Sequence, residues 1–125
     1  MKTIFEMQGE FLRAGEVKFP SNDSALLDMS ETLIYEEHIE FIAEIHTDIN
    51  KLKECCDLIY VAAQYLNVQV GPDKAVLLFR AVHANNMEKC VDGKLVKRED
   101  GKILKPEGFN KMGWMVDFEK ILGGE

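Results

Sequence analysis

The segment Leu33–Val61, LIYEEHIEFIAEIHTDINKLKECCDLIYV, carries two carboxylate pairs, Glu37 with Glu40 and Glu54 with Asp57, each three residues apart. Residues i and i+3 of an α-helix share a face. Thr47-Asp48 between the pairs reads as a turn and a helix cap. The spacing predicts one helix that ends near His46 and another from about Ile49 to Leu66. A connection this short makes the two helices antiparallel. Glu37 and Glu40 then lie about two turns before the end of one helix, and Glu54 and Asp57 about two turns into the next, which brings all four to similar height. Four carboxylates offer hard oxygen ligands of the kind Mg²⁺ or Mn²⁺ prefers. In a chain this acidic, one such pair is ordinarily a solvated face. Two pairs that continue apolar stripes weigh evenly between that reading and a metal site.

Upstream, no Gly or Pro interrupts the chain between Asp23 and His46, and Asp23 or Ser24 can cap the helix. Its inward stripe runs Leu26, Ser30, Leu33, Glu37, Glu40, Glu44, with Leu27, Ile34, His38, Phe41 and Ile45 beside it. The face thus begins apolar and turns into carboxylates, which are costly to bury without a partner. A shorter helix is expected from Lys2 to about Arg13, followed by a loop from Gly15 to Asn22. In the third helix Leu52, Ile59, Ala63 and Leu66 make one side.

Downstream, Gly71-Pro72-Asp73 stops the third helix and starts a fourth, with Pro72 or Asp73 in its first turn. Its apolar stripe is read as Ala75, Phe79 and Val82, continued by Asn86 and Lys89. Asp92-Gly93 and Asp100-Gly101 are turn dipeptides, so that Leu95–Arg98 and Lys102–Leu104 make either a small β-hairpin or an irregular loop. Phe109–Glu125, with Trp114, Met115, Phe118 and Ile121, suits a terminal helix that packs on the body or on a partner. The fold class predicted is all-α: an antiparallel bundle of about four to five helices with a short basic C-terminal hairpin or loop, in one domain over residues 1–125. One chain makes too thin a bundle to cover both faces of a carboxylate seam, so a homodimer or homotetramer is expected.

The chain has 46% hydrophobic residues, enough for a core, and a net charge of −7. So acidic a protein is ill suited to grip polymeric nucleic acid. The charge is uneven. Residues 1–88 hold 7 basic against 15 acidic residues, a balance of −8, whereas residues 89–105 hold 6 against 3, a balance of +3. An acidic body with one basic segment suits a metal site next to an anion-binding loop; a solvated lysine-rich segment fits equally. Cys55, Cys56 and Cys90 show no CxxC and no Cys/His ligand spacing, which argues against zinc and for reduced thiols. There is no signal-like apolar run and no span long enough for a membrane, so a cytoplasmic protein without a membrane partner is expected.

EExxE at residues 36–40 followed by ExxD at residues 54–57 resembles the signature of the MazG-like all-α NTP pyrophosphatases, the superfamily of phosphoribosyl-ATP pyrophosphohydrolase and the dimeric dUTPases. Leu33–Glu37 is similar to one branch's LIxEE, Asp57–Val61 to its DxxYV, Val82–Lys89 to its VHxxNMxK and Arg98–Lys105 to its REDGKxxK. The likeness covers roughly residues 25–108 in the family's order. Met29-Ser30 and Ala84 depart from it, at positions where relatives often carry basic residues. The resemblance implies Glu37, Glu40, Glu54 and Asp57 as ligands of Mg²⁺, with Mn²⁺ a possible substitute. It implies Glu36 as a second-metal ligand or as the base that activates water, with Glu37 the other candidate for that base. Asn86 and Lys89 would reach the phosphates or the sugar, Asn86 being preferred to Asn85. Arg98, Lys102 and Lys105 would neutralise a nucleoside triphosphate. The reaction implied is NTP + water → NMP + pyrophosphate, and house-cleaning of nucleotide pools or dUTPase-like activity would follow.

Other readings divide from this one on particular residues. A carboxylate-bridged di-iron bundle needs Glu-x-x-His, yet Tyr35, Ala43 and Arg80 stand three before His38, His46 and His83. There is no HExxH, P-loop or GxSxG. The histidines are read as ordinary surface or packing residues. A non-catalytic nucleotide-binding module, phosphoribosyl-ATP hydrolysis and a purely structural helical dimer are the alternatives.

Overall fold

The computed structural model of the chain describes residues 1–123. They form five α-helices and one small β-ladder: α1 (Ile4–Ala14), α2 (Ser24–Ala43), α3 (Asp48–Val70), α4 (Pro72–Met87), β1 (Cys90–Val91), β2 (Lys94–Leu95) and α5 (Met115–Leu122). The architecture is all-α, as the helical periodicities predict. No helix among the described residues is long and apolar enough to cross a membrane. The chain divides into two compact units, Met1–Val76 and Leu77–Glu125, and α4 runs through the division.

In the first unit, α2 packs along α3 and α1 packs on α3. Local chemistry sets each helix start. Thr3 and Glu6 form a reciprocal capping box on α1, the Glu6 amide donating to Thr3 Oγ1 at 3.1 Å and the Thr3 amide to Glu6 Oε1 at 3.3 Å. Asp23 accepts from the Ala25 amide at 3.0 Å and Thr47 from the Asn50 amide at 3.0 Å. The ends differ from the sequence reading. α2 stops at Ala43 rather than near His46, because Glu44 turns to extended backbone and its carboxylate accepts the His46 amide at 2.8 Å. Lys51 then reaches back to donate to the Phe41 carbonyl that the helix leaves open. α3 runs four residues past Leu66 to Val70, where Gly71 at φ +83° ends it in a conformation that L side chains rarely adopt.

The core of this unit is mixed. Phe5, Ala63 and Ala75 pack with Leu66, Val70 and Val76. Beside them lies a buried polar chain that links three helices. Asn67 Nδ2 donates to the Phe5 carbonyl at 2.9 Å and to Gln8 Oε1 at 2.8 Å; Gln8 Nε2 donates to Gln64 Oε1 at 3.2 Å; Gln64 Nε2 donates to Ser30 Oγ at 3.3 Å; and Ser30 Oγ donates to the Leu26 carbonyl at 3.0 Å. Gln8, Ser30 and Asn67 are fully buried. Each amide of this polar chain makes at least one hydrogen bond, although Asn67 Oδ1 is buried without a partner, and directional bonds then select one arrangement. Gly9 lets α1 approach: a Cβ there would meet Pro72 Cγ at 3.0 Å.

In the second unit the buried line of α4 is Leu78, Ala81 and Asn85, continuing from Ala75, whereas Phe79 and Val82 are exposed. The expected stripe is thus displaced by one residue. Both lines have helical spacing; small Ala81 permits close packing, while the bulkier residues that drew the sequence reading face outward. Asn85 Nδ2 donates to the Asn110 carbonyl at 2.9 Å, and Gly113 leaves room for that amide, since a Cβ there would stand 2.7 Å from it. Asp92-Gly93 closes the β1–β2 pair with φ of +52° and +78°. Asp100-Gly101 closes a second excursion, where Lys97 and Ile103 form an isolated bridge, so the expected strands shrink to a single rung there. α5 is fixed at its start by an edge-to-face contact of Trp114 with Phe118, centroids 4.8 Å apart. Gly124 and Glu125, at the end of the expected terminal helix, lie outside the described residues.

Candidate metal centre

The α2–α3 hairpin brings Glu37, Glu54 and Asp57 together, one oxygen of each lying within 4.8 Å of the others. All three are half-buried. Glu37 lies on the stripe of α2 that begins with Leu26, Ser30 and Leu33; Glu54 and Asp57 share one face of α3. Glu40, the fourth predicted ligand, stands outside the trio: it is exposed and lies in hydrogen-bonding contact with Glu37. Glu36 is exposed and also outside the trio.

Glu37 Oε2 and Glu54 Oε2 are buried and have no hydrogen-bond partner. An acceptor removed from water and left unpaired costs on the order of 1–3 kcal/mol, more when charged. Burial of its carboxyl pushes the Glu37 pKa above the usual carboxylate range, helped by the hydrogen bond with Glu40 and by the charges of Glu40, Asp57 and Glu54. These groups therefore want a positive charge. A proton shared between carboxylates meets part of that demand. A hard divalent cation, ligated by oxygen and retaining several waters, would meet it, and carboxylate oxygens are the donors that Mg²⁺ or Mn²⁺ takes.

Lys53, absent from the sequence-derived site, supplies the local cation. Its Nζ lies 2.6 Å from Asp57 Oδ2 and 4.0 Å from Glu54 Oε1. The bond to Asp57 raises the Lys53 pKa above its ordinary value, with the charges of Asp57, Glu54 and Glu37 adding to it. Lys53 sits beside Glu54 in the sequence, so the signal was present: a basic residue four before Asp57. Glu37 and Asp57 also border a cavity of about 280 Å³ walled by Phe11, Leu33, Tyr60 and Val61. Phe11 and Tyr60 meet edge to face, centroids 5.7 Å apart.

The predicted anion-binding residues belong to the second unit. Asn86 is exposed, unlike Asn85, whose amide is committed to Asn110. Lys89 Nζ lies 5.6 Å from the Phe109 ring centroid. Arg98, Lys102 and Lys105 are exposed. Arg98 donates to Asp100 through both Nε and a terminal nitrogen, and the Lys102 amide donates to Asp100 Oδ1 at 3.1 Å. Arg98 is thus held rigidly by a bidentate pair, whereas no hydrogen bond or ion pair engages the Lys102 ammonium among the described residues. No protein-family model matches this chain, and no curated protein sequence matches it.

Proposed function

We propose that the chain is a Mg²⁺-dependent nucleotide pyrophosphohydrolase that converts a (d)NTP and water to the (d)NMP and pyrophosphate. The observation that carries this reading is the carboxylate trio with two buried, partnerless oxygens beside an aromatic-walled cavity. Glu37, Glu54 and Asp57 would hold the cation, and Glu40 would steady Glu37 or join as a fourth ligand. A cation bound there supplies Lewis acidity toward phosphate oxygens and water. Glu36, outside the trio and exposed, is the candidate to take the proton from water as the anhydride bond breaks, since Glu37 would be engaged as a ligand. Phe11, Leu33, Tyr60 and Val61 offer apolar surface to a base, and Asn86, Lys89, Arg98, Lys102 and Lys105 are assigned to the triphosphate and sugar by their chemistry alone. Phosphoryl transfer needs such charge neutralisation and positioning more than covalent catalysis.

A second copy of the chain completes this reading as a homodimer or homotetramer. Near the α2–α3 turn, Ile42 at the end of α2, Ile45 in the turn, and Ile49 and Leu52 at the start of α3 are exposed, Ile45 at 82% and Ile49 at 79%, and a second copy would cover them. The cytoplasm is the assigned compartment, in keeping with three free cysteines. The test is pyrophosphate release from a panel of canonical and modified (d)NTPs with Mg²⁺, with Mn²⁺ and with EDTA. Metal-dependent release from one or a few supports the reading. Silence across the panel from folded protein overturns it, and binding without turnover would mark a non-catalytic nucleotide module instead.

A further inference from the structure

Lys53 Nζ is 2.6 Å from Asp57 Oδ2 and 4.0 Å from Glu54 Oε1, and its side chain is 68% exposed. Helix preference does not explain the pairing. A basic residue placed four before an acidic one is the weaker of the two orientations on a helix. The pairing is explained by the trio: two carboxylates of α3 and one of α2 focus negative charge on this spot, and Lys53 is the ammonium that reaches it. An exposed ammonium on a four-carbon stem is also free to leave. Asp57 cannot offer the same oxygen at full strength to an ammonium and to a divalent cation.

We propose that Lys53 is the internal counter-cation of this site: its ammonium neutralises Asp57 and Glu54 in the metal-free protein and must quit Asp57 for a divalent cation to bind, so that Lys53 sets the metal affinity. This rests on the metal-site reading given above. It makes Lys53 a positioning residue. It offsets the charge of the two α3 carboxylates while the cation is absent, and it lowers the affinity for the cation by competing for Asp57.

The test is calorimetric titration of Mn²⁺ into the full chain as wild type, Lys53→Met and Lys53→Arg, with thermal melts of each at zero and saturating Mn²⁺. Lys53→Met keeps the apolar stem and removes the charge, and it should bind Mn²⁺ about two- to fivefold more tightly, the effect of deleting one exposed ion pair. Lys53→Arg should stay near wild type. The melting temperature of Lys53→Met should fall below wild type without metal and match it with metal, whereas a merely structural role would lower both equally. Equal or weaker binding by Lys53→Met overturns this inference alone. No binding by any of the three proteins overturns the metal reading and this inference with it.

Discussion

Glu37 on α2 and Glu54 on α3 each keep one buried carboxylate oxygen without a hydrogen-bond partner, across a hairpin closed by only a few residues. Like charges held this close oppose folding, and Lys53 on α3 offsets only part of that repulsion. Glu54→Gln should therefore stabilise the metal-free protein, by about 0.5–1 kcal/mol, the scale of other surface-charge corrections. Wild type should gain stability with Mg²⁺ by mass action, and the variant should gain little or none. Thermal melts with and without Mg²⁺ check both halves. A variant that responds to Mg²⁺ as wild type does would remove Glu54 from the site.

Asn67 serves two acceptors of α1, the Phe5 carbonyl and Gln8 Oε1, from a fully buried position on α3. Asn67→Ala would strand both acceptors and leave a void. A loss of about 2–4 kcal/mol is expected in urea denaturation. In a double-mutant cycle with Gln8→Ala the two losses should not add, since each removes the partner of the other. Additive losses would show that the amides act separately.

Gly9 lies inside α1, where Ala is ordinarily favoured by about 0.5–1 kcal/mol. Here a methyl group would press on Pro72 Cγ at 3.0 Å and approach Asn67 Nδ2 at 3.9 Å. The ring of Pro72 cannot rotate away, so overpacking should win, and Gly9→Ala should cost about 1–2 kcal/mol. A stabilised Gly9→Ala, read from the midpoint of urea unfolding, would mean that α1 is free to lift.

Asp100 is held below its ordinary pKa of 3.8 by the hydrogen bonds of Arg98, with the Lys102 amide adding to the effect. For a carboxylate with a depressed pKa, the stabilising contribution is present above the unfolded value and is lost as pH falls through the folded one. The turn at residues 98–102 should stay ordered at pH 5 and loosen only in acid below pH 3.8. Carboxyl and amide NMR shifts of Asp100 and Lys102 should report one shared midpoint there. Arg98→Ala should bring that midpoint back toward the ordinary value; a wild-type midpoint at or above it would deny the pairing.

The helical fold was legible where residues announce it locally. Thr47 caps α3, Gly71-Pro72 separates α3 from α4, and the alternating stripe of α2 placed Ser30 and Glu37 inward. Periodicity failed on α4, because Phe79 and Val82 advertise a face more loudly than Ala81 and Asn85, which are the buried ones. The amide chain through Gln8, Gln64 and Asn67 was invisible in the sequence. Polar side chains there look solvated until three helices are set side by side. At the candidate site the pairs predicted four acids at one height, and the trio of Glu37, Glu54 and Asp57 follows from that hairpin. What spacing alone does not fix is helix rotation, which leaves Glu40 at the margin and brings Lys53 against Asp57.

Ser30 precedes Glu37 by seven residues, and Gln64 follows Asp57 by seven, so the Ser30–Gln64 hydrogen bond sits two helical turns, about 10.5 Å, from the facing carboxylates along the same two helices. It works as a fastener. Slipping α2 against α3 by one turn would break it, so the separation of the acids is set from a distance by a neutral bond that takes no part in binding a charge. The hairpin therefore has a fastening end and a chemical end that can vary independently. Substituting one of the acids leaves the Ser30–Gln64 bond in place, so the register of the two helices does not depend on the charges.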